Sequence, residues 1–148
     1  MQTVLDKSTR DELITRIQTL SKENSAKWGK MNVYQMLRHC TLWEEWVRGS
    51  MKLKQVLVGR LFGKRALKNL LKDGIQIGRS TPTLSVFRNL PVSGDVEMEK
   101  ARWIAFLQEY DHFAPTDFVH PFFGKMSREE ICGLAYKHAD HHLRQFGA

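Results

Sequence analysis

Apolar positions recur at helical spacing in several stretches of the chain, separated by clusters of turn-forming residues. Leu13, Ile14, Ile17 and Leu20 share one face and predict a helix over 9–20, with Ser8 or Thr9 as its cap. Asn32, with Gln35 three residues later, predicts a capping box opening a second helix, which runs to about Arg48 and stops at Gly49. Residues 51–72 read as a further helix, interrupted by its glycines and ending near Gly74. Gly74, Gly78, Ser80, Pro82, Asn89, Pro91 and Gly94 mark a long loop, with a short extended piece at 83–87. Ser93 or Asp95 caps the next helix, which reaches about His112 and aligns Trp103, Ile104, Leu107 and Tyr110. A second loop spans 114–126, and Ser127 with Glu130 forms a capping box for a last helix that runs almost to the C-terminus. Four principal helices and one additional helix predict an all-α bundle in a single domain over 1–148. The long loop lies between the second and third principal helices.

Composition changes this picture little. The chain has 148 residues, of which 42% are apolar and 26% charged, an ordinary globular balance that supports a real core. The longest uncharged run is only eight residues, 80–87, far short of the roughly 20 needed to span a bilayer. The N-terminal residues carry no apolar signal region, and Cys40 and Cys132 are too few for a disulfide framework. They read as reduced core thiols, and a cytoplasmic location is expected.

Charge changes the picture more. Lys and Arg number 23 against 16 Asp and Glu, giving +7. Lys52, Lys54, Arg60, Lys64, Arg65, Lys68 and Lys72 lie within 51–72, which contains no acid, so this segment alone equals the whole net charge. Such a segment suits an anionic surface or a nucleic acid. Its only aromatic is Phe62, however, and it shows no clean amphipathic pattern, so no base-stacking platform is visible. The plain reading is a solvated helix whose lysine stems cover apolar surface. Nucleic-acid and membrane partners are not expected.

The histidines carry the candidate chemistry. There are six, at 39, 112, 120, 138, 141 and 142. A helix turns about 100° per residue, so His138 and His142 stack one turn apart, and Ile131, Leu134 and Ala135 precede them on the same inward stripe. His39 repeats the pattern on the second helix, among Met36, Leu42, Trp43 and Trp46. Three imidazoles from two facing helices would form a tripod with open positions, the arrangement of a catalytic zinc. On spacing alone, a His pair one turn apart is more often exposed or singly hydrogen-bonded than a pair of ligands, so ordinary histidines are the plainer reading.

Two motifs extend the reading. Trp28-Gly-Lys-Met-Asn-Val-Tyr-Gln-Met-Leu-Arg-His39 resembles the start of the second helix in the DinB-like (YfiT-like) superfamily. His120-Pro-Phe-Phe-Gly-Lys-Met-Ser, followed by Tyr136-Lys-His-Ala-Asp-His-His-Leu-Arg-Gln145-Phe, resembles the signature of an uncharacterised branch of that superfamily. The resemblance covers nearly the whole chain. It implies a four-helix bundle holding one divalent metal through His39, His138 and His142, and a homodimer. It also implies an enzyme that transfers a low-molecular-weight thiol to a small electrophile, with hydrolysis as the runner-up. A Gln is expected at 145, behind the ligands.

Other residues acquire candidate roles around that centre. His141 is expected beside the pair, as a support or a partly exposed residue. His120 would line the pocket mouth or add a ligand, and Trp43 and Trp46 would wall a pocket near His39. Cys40 lies about 100° away from His39 and should not share its metal. Asp140, Glu44 and Glu45 point elsewhere, so no carboxylate stands out as a general base. Histidine ligands suit zinc foremost, with nickel or iron also possible. The basic segment would attract an anionic cosubstrate such as a carboxylate-bearing thiol. Two other classes stay open: a metal-binding or stress-associated protein without catalysis, and an anionic-surface or nucleic-acid binder acting through 51–72. The chain has no P-loop, HExxH, CxxC or GxSxG motif.

Overall fold

The computed structural model describes residues 2–79 and 81–148, so Ser80, one of the loop signals, lies outside the described residues. The protein is mostly helical, with helices α1 (Lys7–Gln18), α2 (Val33–Val47), α3 (Leu57–Leu70), α4 (Val96–Gln108) and α5 (Arg128–Phe146). α2 packs against α4 and α5, and α1 packs against the same two. Leu13, Met36, Trp46, Trp103, Leu107 and Leu143 fill the space between them, each at most 1% exposed.

The helix starts show where local chemistry decides. Asn32 accepts from the Gln35 amide while Gln35 Oε1 accepts from the Asn32 amide, so the expected capping box opens α2. Ser127 and Glu130 do the same for α5, and Asp95 caps α4 through the Met98 amide. α1 departs from expectation. It starts at Lys7 behind Asp6, whose side chain makes no capping bond, and neither Ser8 nor Thr9 caps it. Tertiary contacts fix this start instead. The buried Arg10 guanidinium donates to the Val4 and Leu5 carbonyls and to Asp111.

α3 corrects the expected interrupted helix over 51–72. It is continuous, but it begins only at Leu57. Gly59 and Gly63 do not break it. They form its inward face, where an added Cβ would lie 2.4 and 2.0 Å from the Phe122 carbonyl oxygen. The surface they approach belongs to a small antiparallel hairpin, β1 (Val119–His120) and β2 (Gly124–Lys125), in place of the loop expected over 114–126. A backbone bond from Val56 to the Pro121 carbonyl secures the start of α3 to that hairpin. Lys137 on α5 donates to the Lys72 and Ile75 carbonyls and secures its end. The extended piece expected at 83–87 is a single 3-10 turn, Ser85–Phe87, because Phe87 turns inward and is buried. α4 ends at Gln108 and only a 3-10 turn, Glu109–Asp111, continues to His112.

Several buried polar groups of the core are matched. Glu44 accepts from Tyr110 Oη and from Arg48, which also donates to the Phe106 carbonyl and stacks on the Phe106 ring. Thr41 donates to Glu99 at 2.6 Å. Cys40 and Cys132 are free and buried, as expected of core thiols. No helix among the described residues is long and apolar enough to cross a membrane.

Candidate metal centre

The capping boxes fix where α2 and α5 start, and the packing of their buried faces turns the histidines of each toward the other. His39 lies near the middle of α2, and His138 and His142 lie one turn apart in the C-terminal half of α5. Each of the three offers a ring nitrogen, and these nitrogens lie within 4.8 Å of one another. No other group of three His, Cys, Asp or Glu converges in this way among the described residues. The ring centroids of His39, His138 and His142 are 4.7–4.9 Å apart pairwise.

The residues fit a metal ion by three separate observations. His39 Nε2 and His138 Nε2 face each other at 2.9 Å, two nitrogens of which only one can donate. Metal–nitrogen bonds of about 2.0–2.1 Å in a tetrahedron place neighbouring nitrogens about 3.4 Å apart, and the spacing here brackets that value. The third observation is His142. Its Nδ1 donates to Gln145 Oε1 at 2.9 Å, which leaves Nε2 with its lone pair free.

Gln145 is itself held. Its Nε2 donates to the Trp28 carbonyl at 2.7 Å, so its oxygen is the atom that must face His142. Gly29 makes this approach possible. Its φ is +83°, and a Cβ there would stand 2.7 Å from Gln145 Nε2. The Lys27 amide bonds to the Gln145 carbonyl and ties the same loop to α5.

Burial keeps these rings neutral. Desolvation lowers His39 to about 4, with His141 adding repulsion. Desolvation is also the main cause of the strong lowering at His138 and His142, followed by the neighbouring imidazoles. Neutral rings are the form a metal requires. His39 Nδ1 is buried without a hydrogen-bond partner among the described residues, and its ring meets the edge of Phe87.

A cavity of about 550 Å3 opens beside the cluster. His39, His138, His141 and His120 line it, with Trp43, Trp46, Phe87 and Phe122 among its apolar walls. Trp43 lies tilted by 30° over the His138 ring at 5.2 Å, and Trp46 abuts His120 at 5.3 Å. His120 lines the cavity but stands outside the three-nitrogen cluster. Its Nδ1 accepts from the Phe122 and Phe123 amides, which leaves Nε2 to carry the proton of the neutral ring. Burial lowers its pKa to about 4.

His141 is buried rather than partly exposed. Its Nδ1 bonds to the Ile77 carbonyl at 3.2 Å and its ring stands edge-on to Trp28. The long loop reaches across α5 to make that contact, which no pattern in the sequence announced. Phe87 was missed for the same reason: it sits in a segment without periodicity. Glu44, Glu45 and Asp140 are all bonded to arginines away from the cluster. Among the described residues the cavity lining contains no Asp, Glu, Lys or Arg. The basic residues of 51–72 therefore do not line it, and the expected link between that segment and an anionic cosubstrate has no contact behind it.

No curated protein and no solved structure matches the chain. A family profile does, over residues 2–148, so nearly the whole domain just described falls under it. The chain belongs to DUF1569, a protein family of unknown function.

Proposed function

We propose that this protein is a three-histidine metalloprotein with the DinB-like four-helix bundle formed by α1, α2, α4 and α5. In this reading His39, His138 and His142 hold one divalent ion, zinc foremost and nickel or iron next. The observation that carries the reading is the convergence of three desolvated imidazoles with Gln145 fixing the orientation of one of them.

The reaction that best suits the site is transfer of a small thiol to an electrophile. A divalent ion with three neutral ligands keeps its full charge and favours a bound thiolate or hydroxide. The chain supplies the remainder. The Trp43 and Phe87 rings exclude water, and His120 presents its protonated Nε2 side. The apolar lining orients an uncharged portion of substrate. Hydrolysis is the weaker reading, because no carboxylate lines the cavity to activate water among the described residues.

Elemental mass spectrometry on untagged protein tests the proposal, with wild type beside His138→Ala. About one equivalent of metal in wild type, lost in the variant, supports the site. Little metal in either after reconstitution overturns it. Bound metal without turnover across a panel of thiols and electrophiles replaces the enzyme with a non-catalytic metal-binding protein.

A further inference from the structure

The outward face of α3 carries apolar bulk that the fold does not use. Leu57, Val58, Leu61 and Phe62 are 55–75% exposed, although they sit in the first two turns of an ordered helix. Their exposure follows from what the helix buries. Gly59, Gly63 and Leu67 form the inward face, and the two glycines rest directly on the backbone of the β1–β2 turn. At 100° per residue the four exposed side chains fall on the opposite side. Farther along that outward side come Arg65 and Lys68, both exposed, with Arg60 and Lys64 on its flank. The sequence hid this division, because basic and apolar residues alternate along the chain and separate only when the glycine face is known to point inward.

Charge decides what covers the patch. The segment 51–72 holds seven cations and no acid. Among the described residues only Lys64 of the seven is in an ion pair, with Glu130 at 2.8 Å. A second copy seated on the same face would bring the two basic segments together. A nucleic acid would meet the cations but would gain little from Leu57, Val58 and Leu61, which offer no ring to stack on. An anionic bilayer uses both features, since apolar side chains enter the headgroup–acyl boundary while Lys and Arg meet the headgroups. We propose that α3 docks this protein on an anionic phospholipid surface through Leu57, Val58, Leu61 and Phe62, with Arg65, Lys68 and their basic neighbours on the headgroups. The hairpin and Lys137 fasten both ends of α3, so the face is presented without rearrangement.

The test is vesicle partitioning of the full chain, using phosphatidylcholine alone and phosphatidylcholine with about one-third phosphatidylserine. The expected result is binding to the anionic vesicles and little to the neutral ones. Arg65→Gln with Lys68→Gln should weaken the anionic binding about 25-fold, at roughly fivefold per charge near the surface. Leu61→Glu with Phe62→Glu should abolish it. Both pairs are exposed, and circular dichroism checks that the fold is kept. Phe62→Trp gives a second readout, a blue-shifted emission on anionic vesicles alone. Equal partitioning of wild type and Leu61→Glu/Phe62→Glu overturns the proposal, as does absence of binding to anionic vesicles. A wild-type dimer in light scattering that the glutamate pair dissociates assigns the face to a second copy and overturns it too. So does salt-sensitive binding to a DNA duplex that exceeds vesicle binding and survives the glutamate pair.

Discussion

Gln145 joins two things that are separable by substitution. Its oxygen accepts from His142 Nδ1 and its amide nitrogen donates to the Trp28 carbonyl, both in a buried setting. Gln145→Ala removes both bonds and leaves two polar groups without partners. Each bond contributes about 1 kcal/mol, and the stranded groups raise the total to roughly 2–4 kcal/mol. For a chain of this length that lowers the Tm by about 6–12 °C. Loss of the group that orients a metal ligand costs about 10–100-fold in metal affinity. Gln145→Glu separates the two effects. A carboxylate still accepts from His142 Nδ1, and more strongly, but it cannot donate to Trp28. This variant should therefore lose stability while holding zinc within about threefold of wild type. Competition with a chromophoric zinc chelator measures the affinity, and thermal unfolding of the chelator-treated protein measures the stability. A folded Gln145→Ala protein that binds zinc as tightly as wild type would refute the assignment of Gln145 to the metal centre.

Three further outcomes are expected. His39 and His120 are held near 4 by burial, below the ordinary value of 6.5, so their neutral forms contribute fully above 6.5 and that stability is lost as pH falls toward 4. Urea titrations of metal-free protein should show a loss of about 3 kcal/mol per ring across that window, and a flat profile would contradict the burial. Gly63→Ala should destabilise by about 1–3 kcal/mol, the reverse of the usual gain for alanine in a helix, because its Cβ would meet the Phe122 carbonyl. A raised Tm in that variant would show that α3 does not rest on the hairpin. Tyr110→Phe removes a donor from the buried Glu44 carboxylate and should cost about 1.5–3 kcal/mol in denaturant unfolding, with no change in metal content.

The features that were legible in the sequence are those fixed within a few residues. Both capping boxes depend on partners three positions apart, and the structure forms both. The inward placing of His39, His138 and His142 follows from helical period, and the absence of a carboxylate from the cavity lining among the described residues follows from the same geometry. What escaped was set by distant partners. α1 begins behind Asp6 because Arg10 is tied to the preceding carbonyls. The glycines of α3 read as breaks, since nothing local indicates a backbone resting against them. Trp28 and Gly29 stood in a recognisable motif, yet their part in seating Gln145 depends on a helix more than a hundred residues away. His141 reads as an edge residue in the sequence because the loop that covers it has no pattern.

The facing nitrogens of His39 and His138 are 99 positions apart in sequence. An ion held there with His142 is therefore a reversible cross-link that closes most of the polypeptide into a ring. Cross-linking a loop of that size withdraws about 4–5 kcal/mol of freedom from the unfolded chain by the entropy model used for disulfides. With the proposed ion in place, metal supply would set how often the chain opens far enough for a protease to cut it, and occupancy of this one site would govern the lifetime of the whole domain.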